Sequence, residues 1–137
     1  MSLRLALGLT LIGLSGCQPS VPTLVPVTGR VFHRGLPLAG GLIVFVPDPD
    51  RGNSGELARA RIGPDGSYYL ITGDRVGAPP GWHRVAIAPA PATRAGTAVL
   101  ELYREPPKRY RNPQLSGLLR EVRAGAANVF DFHLDDS

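Results

Sequence analysis

The chain has 137 residues, among them 17 glycines, 14 prolines and a single cysteine, and carries a net charge of +4 at pH 7. One thiol has no partner, so a disulfide framework is excluded, and so much Gly and Pro is poor material for long helices. The 15 basic residues are scattered, with no basic stripe and no interleaved aromatics, which argues against nucleic acid as a partner.

The first predicted element is an export signal. MSLR carries one cation, Arg4, and no acid, and residues 5–14, LALGLTLIGL, are an apolar run. That run is too short for a membrane-spanning helix, which needs roughly 20 apolar residues. Small residues follow, and Leu14-Ser15-Gly16-Cys17 resembles the bacterial lipobox. The resemblance implies cleavage between Gly16 and Cys17 and acylation of Cys17, including palmitate-like chains. A thiolate is the nucleophile such a transfer needs. An ordinary signal peptide with a chance cysteine, or a buried N-terminal helix, is the weaker reading, because an unpaired exported thiol is a liability. Gln18, rather than an aspartate, follows the cysteine, which resembles outer-membrane sorting. The organisation read here is a signal peptide over 1–16, a proline-spaced tether over 17–25 and one domain over 26–137.

Within that domain the pattern is strand, turn, strand. PVTGRVFHR alternates Val27, Gly29 and Val31 with Thr28, Arg30 and Phe32. RGLPLAG is a turn. LIVFV, 42–46, is apolar on both faces and so predicts a central or covered strand. PDPDRGNSGE is a polar loop. LARARI and SYYLIT are strands flanking Gly63-Pro64-Asp65-Gly66, a hairpin turn in which Pro fixes φ, Asp bonds back to the backbone and Gly takes positive φ. After the loop GDRVGAPPG comes the strand WHRVAIA, 82–88. Residues 89–107 are a long Pro-bounded insertion whose TAVLELYRE is readable as helix or strand. GLLREVRAG and NVFDFHL close the chain, the latter with Phe130, Phe132 and Leu134 on one face. Seven strands at hairpin-like spacing predict an all-β sandwich of two packed antiparallel sheets.

Several motifs follow one another in order: Val27-x-Gly-x-Val, Gly35-x-Pro-Leu-Ala-Gly, Phe45-Val-Pro, Ile62-Gly-Pro-Asp-Gly-Ser-Tyr68-x-Leu70, Ala78-Pro-Pro-Gly81, Pro107-x-x-Tyr110, Ser116-Gly-Leu118 and Asn128-x-Phe-x-Phe-x-Leu. Together they resemble the carboxypeptidase-regulatory-like domains of bacterial lipoproteins. The resemblance covers residues 26–134 except 89–105 and implies a transthyretin/prealbumin-like Greek-key sandwich used for binding or support. Two positions depart from the family. His83 stands where an aromatic is common and Arg120 near an aliphatic, and alternation with Val85 and Val122 turns both inward.

Chemistry is sparse. His33, His83 and His133 have no HxH or HxxxH spacing, and alternation sends them to different faces, against a shared metal site. Neither the Tyr-Arg-Gly-Ser ending of hydroxyisourate hydrolases nor the Tyr/His spacing of intradiol dioxygenases is present. Asp48 and Asp50, separated by Pro49, read as a solvated loop rather than a carboxylate pair or, with Asn53, a cation loop. No catalytic residue, metal or cofactor is expected. The candidate binding surface is Trp82, Tyr103, Arg104, Arg109, Tyr110 and Arg111, an aromatic–arginine mixture of the kind enriched at interfaces. Against it, Trp82 would pack under the insertion and Tyr110 would be structural.

The expected function is a non-catalytic, lipid-anchored cell-envelope protein. Its domain would bind or scaffold an envelope protein or polysaccharide while facing the periplasm or exterior. The alternatives are a small transthyretin-like hydrolase or metalloenzyme, and an accessory subunit presenting the insertion to a partner.

Overall fold

The computed structural model describes residues 16–17, 21–91 and 105–137. The signal run, Tyr103, Arg104 and the apolar middle of the insertion lie outside those residues. Among the described residues no helix is long and apolar enough to cross a membrane.

The domain is mostly β. Its strands are β1 (Val27–His33), β2 (Leu36–Pro37), β3 (Leu42–Pro47), β4 (Ala58–Arg61), β5 (Ser67–Tyr69), β6 (Ile71–Thr72), β7 (Arg75–Val76), β8 (Gly81–Ala88), β9 (Leu119–Val122), β10 (Asn128–Val129) and β11 (Phe132–Leu134). They form two sheets. One has β1 at its centre, with β10 and β11 on one side and β2 and β5 on the other; the second runs β7-β6-β4-β3-β8-β9. The seven expected runs become these shorter segments for a simple reason. SYYLIT and NVFDFHL each break once, and two stretches read as turn or loop contribute the two-residue β2 and β7.

One expectation is corrected. The sheets are not wholly antiparallel, because β1 pairs in parallel with β10 and β11. Alternation fixes which face a side chain takes but not strand direction. Parallel neighbours need a long connection, and here the rest of the domain supplies it. The register is continuous, with Val27 opposite Asn128 and Val31 opposite Phe132. At the break between β10 and β11 the Asp131 side chain accepts the Arg30 amide at 2.9 Å.

The SYYLIT hairpin also differs from expectation. Its turn forms as read: the Gly66 amide donates to the Gly63 carbonyl, Asp65 accepts from the Ser67 amide and hydroxyl, and Gly66 has φ +80°. The returning strand, however, divides its loyalty. Ser67–Tyr69 pair with β1 in the first sheet, and Ile71 pairs with Arg59 of β4 in the second. This strand therefore turns the corner between the sheets.

Both inner faces feed one core. Val27 and Val31 of β1, Ile43 and Phe45 of β3, Val85 and Ile87 of β8, Val122 of β9 and Phe132 of β11 are fully or almost fully buried. Phe45 is its hub, with ring centroids 6.1 Å from Phe132, 6.2 Å from Phe130 and 6.4 Å from Tyr68. Ordered contacts are already present within the expected tether. Val25 is buried and exchanges backbone hydrogen bonds with Ala78, and Arg75 reaches the Pro22 carbonyl. The turn joining β9 to β10 is held by buried Asn128, which bonds the Arg123 amide and the Arg123 and Ala126 carbonyls.

Candidate functional site

Cys17 and Gly16 are exposed, ahead of the folded domain. The rest of the candidate surface divides between different surroundings. Tyr110 is a core residue on a 3-10 turn, Lys108–Arg111, and is only 3 % exposed. Its hydroxyl donates to Asp135 Oδ1 and accepts from Arg109 and from the Asp135 amide, so it ties the end of the insertion to the C-terminus. Arg109 also covers the Tyr110 ring and bonds Asp135. The Ser137 hydroxyl, with Tyr110 and Arg109, holds the Asp135 carboxyl below the usual carboxylate range. Arg111 pairs with Glu105. Trp82 is half-buried at the start of β8, with the Arg51 guanidinium 5.0 Å from its ring centroid. Arg51 of the loop after β3 lies over the indole, and the middle of the insertion, its expected cover, lies outside the described residues.

That loop holds a charged node that sequence reasoning assigned to solvent. Asp48 is completely buried. Its carboxylate lies 3.2 Å from Arg84 Nε and 3.6 Å from Arg51 Nε, and it accepts the Asp50 amide to cap a 3-10 turn at Pro49–Arg51. The Asp48 amide and the Asn53 side chain both donate to the Trp82 carbonyl. Asp50, by contrast, is exposed and pairs with Arg84 at 3.0 Å. The alternation of WHRV did place Arg84 on the outer face. The signal that was missed is Pro47-Asp48-Pro49, which fixes the backbone so that Asp48 turns back onto β8.

The three histidines do have separate surroundings. His33 meets Asp136 at 2.8 Å, and exposed His133 stacks on Phe32 at 4.8 Å. His83 is fully buried and faces Arg120 across the β8–β9 pair, so the two positions that depart from the resemblance are cross-strand neighbours. Both point inward as alternation predicted. The Arg120 guanidinium lies 4.6 Å from the Phe132 ring centroid and donates to the Leu119 carbonyl. A half-buried guanidinium over an aromatic face is attracted by the ring quadrupole, which offsets part of the solvation it loses. His83 Nδ1 lies 2.9 Å from the Gly81 carbonyl, which requires the proton on Nδ1 and leaves the buried Nε2 without a hydrogen bond.

Burial lowers the His83 pKa, with the Gly81 bond opposing it more weakly. The folded imidazole thus stays neutral at pH values where the unfolded chain, with a His pKa near about 6.5, takes up a proton. Stability is then constant above the unfolded pKa. It falls as pH drops from there toward the folded pKa, by at most about 1.4 kcal/mol per pH unit, and levels off below it. Replacing His83 by Phe should remove that portion of the slope. Urea midpoints measured from pH 7.5 to 5 check this, and an unchanged slope in the variant would contradict it.

A concave surface lies at the corner where the SYYLIT strand changes sheets. A cleft of about 590 Å³ is lined by Leu42, Arg59, Arg61, Tyr69 and Ile71, among others. A second, of about 510 Å³, shares Arg61 and Tyr69 with it and adds Arg30. Tyr69 is 60 % exposed. Nothing in the sequence pattern alone brought these residues together, since Arg30 and Arg61 stand on strands of different sheets.

The class defined by these observations is a mostly-β domain with two sheets around one core. No protein-family model matches the chain, and neither curated proteins nor solved structures give a significant match.

Proposed function

We propose that the protein is a lipid-anchored component of a cell envelope, held in the membrane through acyl chains on Cys17. Its domain acts as a non-catalytic binding or scaffolding module, and its two sheets are read as a transthyretin-like Greek-key sandwich of the carboxypeptidase-regulatory-like kind. The observation that carries the reading is the position of the only thiol. It follows a basic start, an apolar run and Leu14-Ser15-Gly16, and it stands exposed ahead of the folded residues. Each buried CH₂ of an acyl chain contributes about 0.8 kcal/mol, and two or more chains give stable attachment. Gln18 favours the outer membrane.

Cys17→Ser is therefore expected to abolish membrane retention, because a serine hydroxyl does not receive the lipid. Cell fractionation with mass spectrometry of the mature N-terminus checks it. A Cys17→Ser protein that is still cut before residue 17 and still sediments with membranes would end the anchor reading.

A further inference from the structure

We infer that the corner cleft of β4 and the SYYLIT strand is a binding site for an acidic polysaccharide, with Arg59 and Arg61 pairing carboxylates and Tyr69 lying against a sugar ring. The inference deepens the binding-module reading by naming a ligand class, and rests on it. Arg59 and Arg61 project from the outer face of β4, alternating with the buried Ala58 and Ala60. Two residues along a strand separate them by about 6.5 Å. Neither has an ion-pair partner among the described residues, and the described lining of the two clefts includes no carboxylate. Arg30 adds a third guanidinium, bound only loosely to exposed Asp65 at 3.9 Å. Concentrated, unneutralised arginines repel one another unless an anion joins them, and the guanidinium fork matches a carboxylate in two-point geometry.

The choice among polyanions follows from the other lining groups. Arg59 pairs with Ile71, and extending that register sets Tyr69 opposite Arg61. An exposed ring beside a cation fits the apolar C–H face of a sugar whose carboxylate reaches the arginine. An acidic peptide would gain most from adding as a strand, but β4 is already paired on both sides, to β3 and β6. Single-stranded nucleic acid is held by successive stacked aromatics, whereas one tyrosine stands exposed here. The clefts are continuous through Arg61 and Tyr69 and open to solvent, which suits a chain passing across the corner rather than a small enclosed molecule.

The test uses the full-length protein in a neutral detergent, titrated with polygalacturonate at about 50 mM and 500 mM salt. Binding is expected at low salt and should weaken at high salt. Arg59→Gln with Arg61→Gln should weaken it by about tenfold or more, and Tyr69→Ala several-fold, each with an unchanged melting temperature because all three side chains are exposed. Neutral dextran should bind weakly or not at all. The proposal is overturned by no binding at low salt or by an arginine double variant that binds like the parent. It is equally overturned if polyglutamate or single-stranded DNA binds as tightly as polygalacturonate with no dependence on Tyr69. Because the assay needs no lipid, its failure is separate from failure of the Cys17 anchor, which fractionation reads.

Discussion

Replacing Gly29 by alanine will lower the melting temperature by about 10 °C or more. Gly29 faces inward at the centre of β1, where the parallel C-terminal strand breaks between β10 and β11. Tyr68, its cross-strand neighbour on β5, lies over the glycine, and its hydroxyl donates to the Phe130 carbonyl at 2.6 Å. That bond satisfies a carbonyl the break would otherwise leave bare, and burial pushes the phenol pKa well up. A Cβ on residue 29 would collide with the Phe130 carbonyl oxygen, stand 2.6 Å from its carbon and lie 2.8 Å from the Tyr68 oxygen. Removing glycine's freedom from the unfolded chain stabilises by only about 0.4–1 kcal/mol. Overpacking costs about 1–3 kcal/mol, and an orphaned buried carbonyl about 1–3 more, so the clash wins. Tyr68→Phe, which removes the bond without adding volume, should lie nearer 1–2 kcal/mol. Thermal melts of both variants check the order, and a Gly29→Ala protein melting within a degree or two of the parent would show that the strands do not approach this closely.

The contrast between what β1 and its neighbours disclose in sequence is instructive. Val27, Gly29 and Val31 alternate with polar partners, and one buried face is enough to make that pattern legible. Gly63-Pro64-Asp65-Gly66 specifies its turn by local chemistry alone, and the turn forms as read. The final Phe130-x-Phe132-x-Leu134 likewise presents its core face correctly. What the pattern does not contain is pairing. Alternation is the same for parallel and antiparallel neighbours, so the direction of the C-terminal strand was not readable. The switch of SYYLIT between sheets was hidden too, because Tyr68 and Leu70 stay inward throughout while the backbone partner changes. The corner cleft depends on that switch and was invisible for the same reason. Trp82 shows a further limit. Its outward orientation was legible, but its contact with Arg51 depended on a loop whose charged residues look soluble in isolation. Only the buried position of Asp48 explains why Arg51 and Arg84 gather there.

That node yields the second large effect. Arg84→Met should destabilise the domain by about 3 kcal/mol, while Asp48→Asn should cost distinctly less. The reason is an asymmetry in solvent access. The Asp48 side chain is fully buried and the Arg84 side chain 28 % exposed. Without Arg84, the carboxylate keeps only Arg51 at 3.6 Å and the Asp50 amide, at a position that is fully buried in the parent. Removing one partner of a buried pair costs about 3–5 kcal/mol because the remaining charge is stranded, and residual help from Arg51 puts this case at the lower end. Without the Asp48 charge, by contrast, Arg84 remains partly hydrated and still meets Asp50 at 3.0 Å. The carboxamide introduced by Asp48→Asn would retain an acceptor for the Asp50 amide, so the cap on the 3-10 turn survives. Combining the two substitutions should then recover stability relative to Arg84→Met alone, since no charge is left stranded. Urea unfolding of the two single variants and the double variant measures this coupling directly. Additive losses, or a larger loss from Asp48→Asn than from Arg84→Met, would mean that the buried carboxylate is neutralised by something other than Arg84.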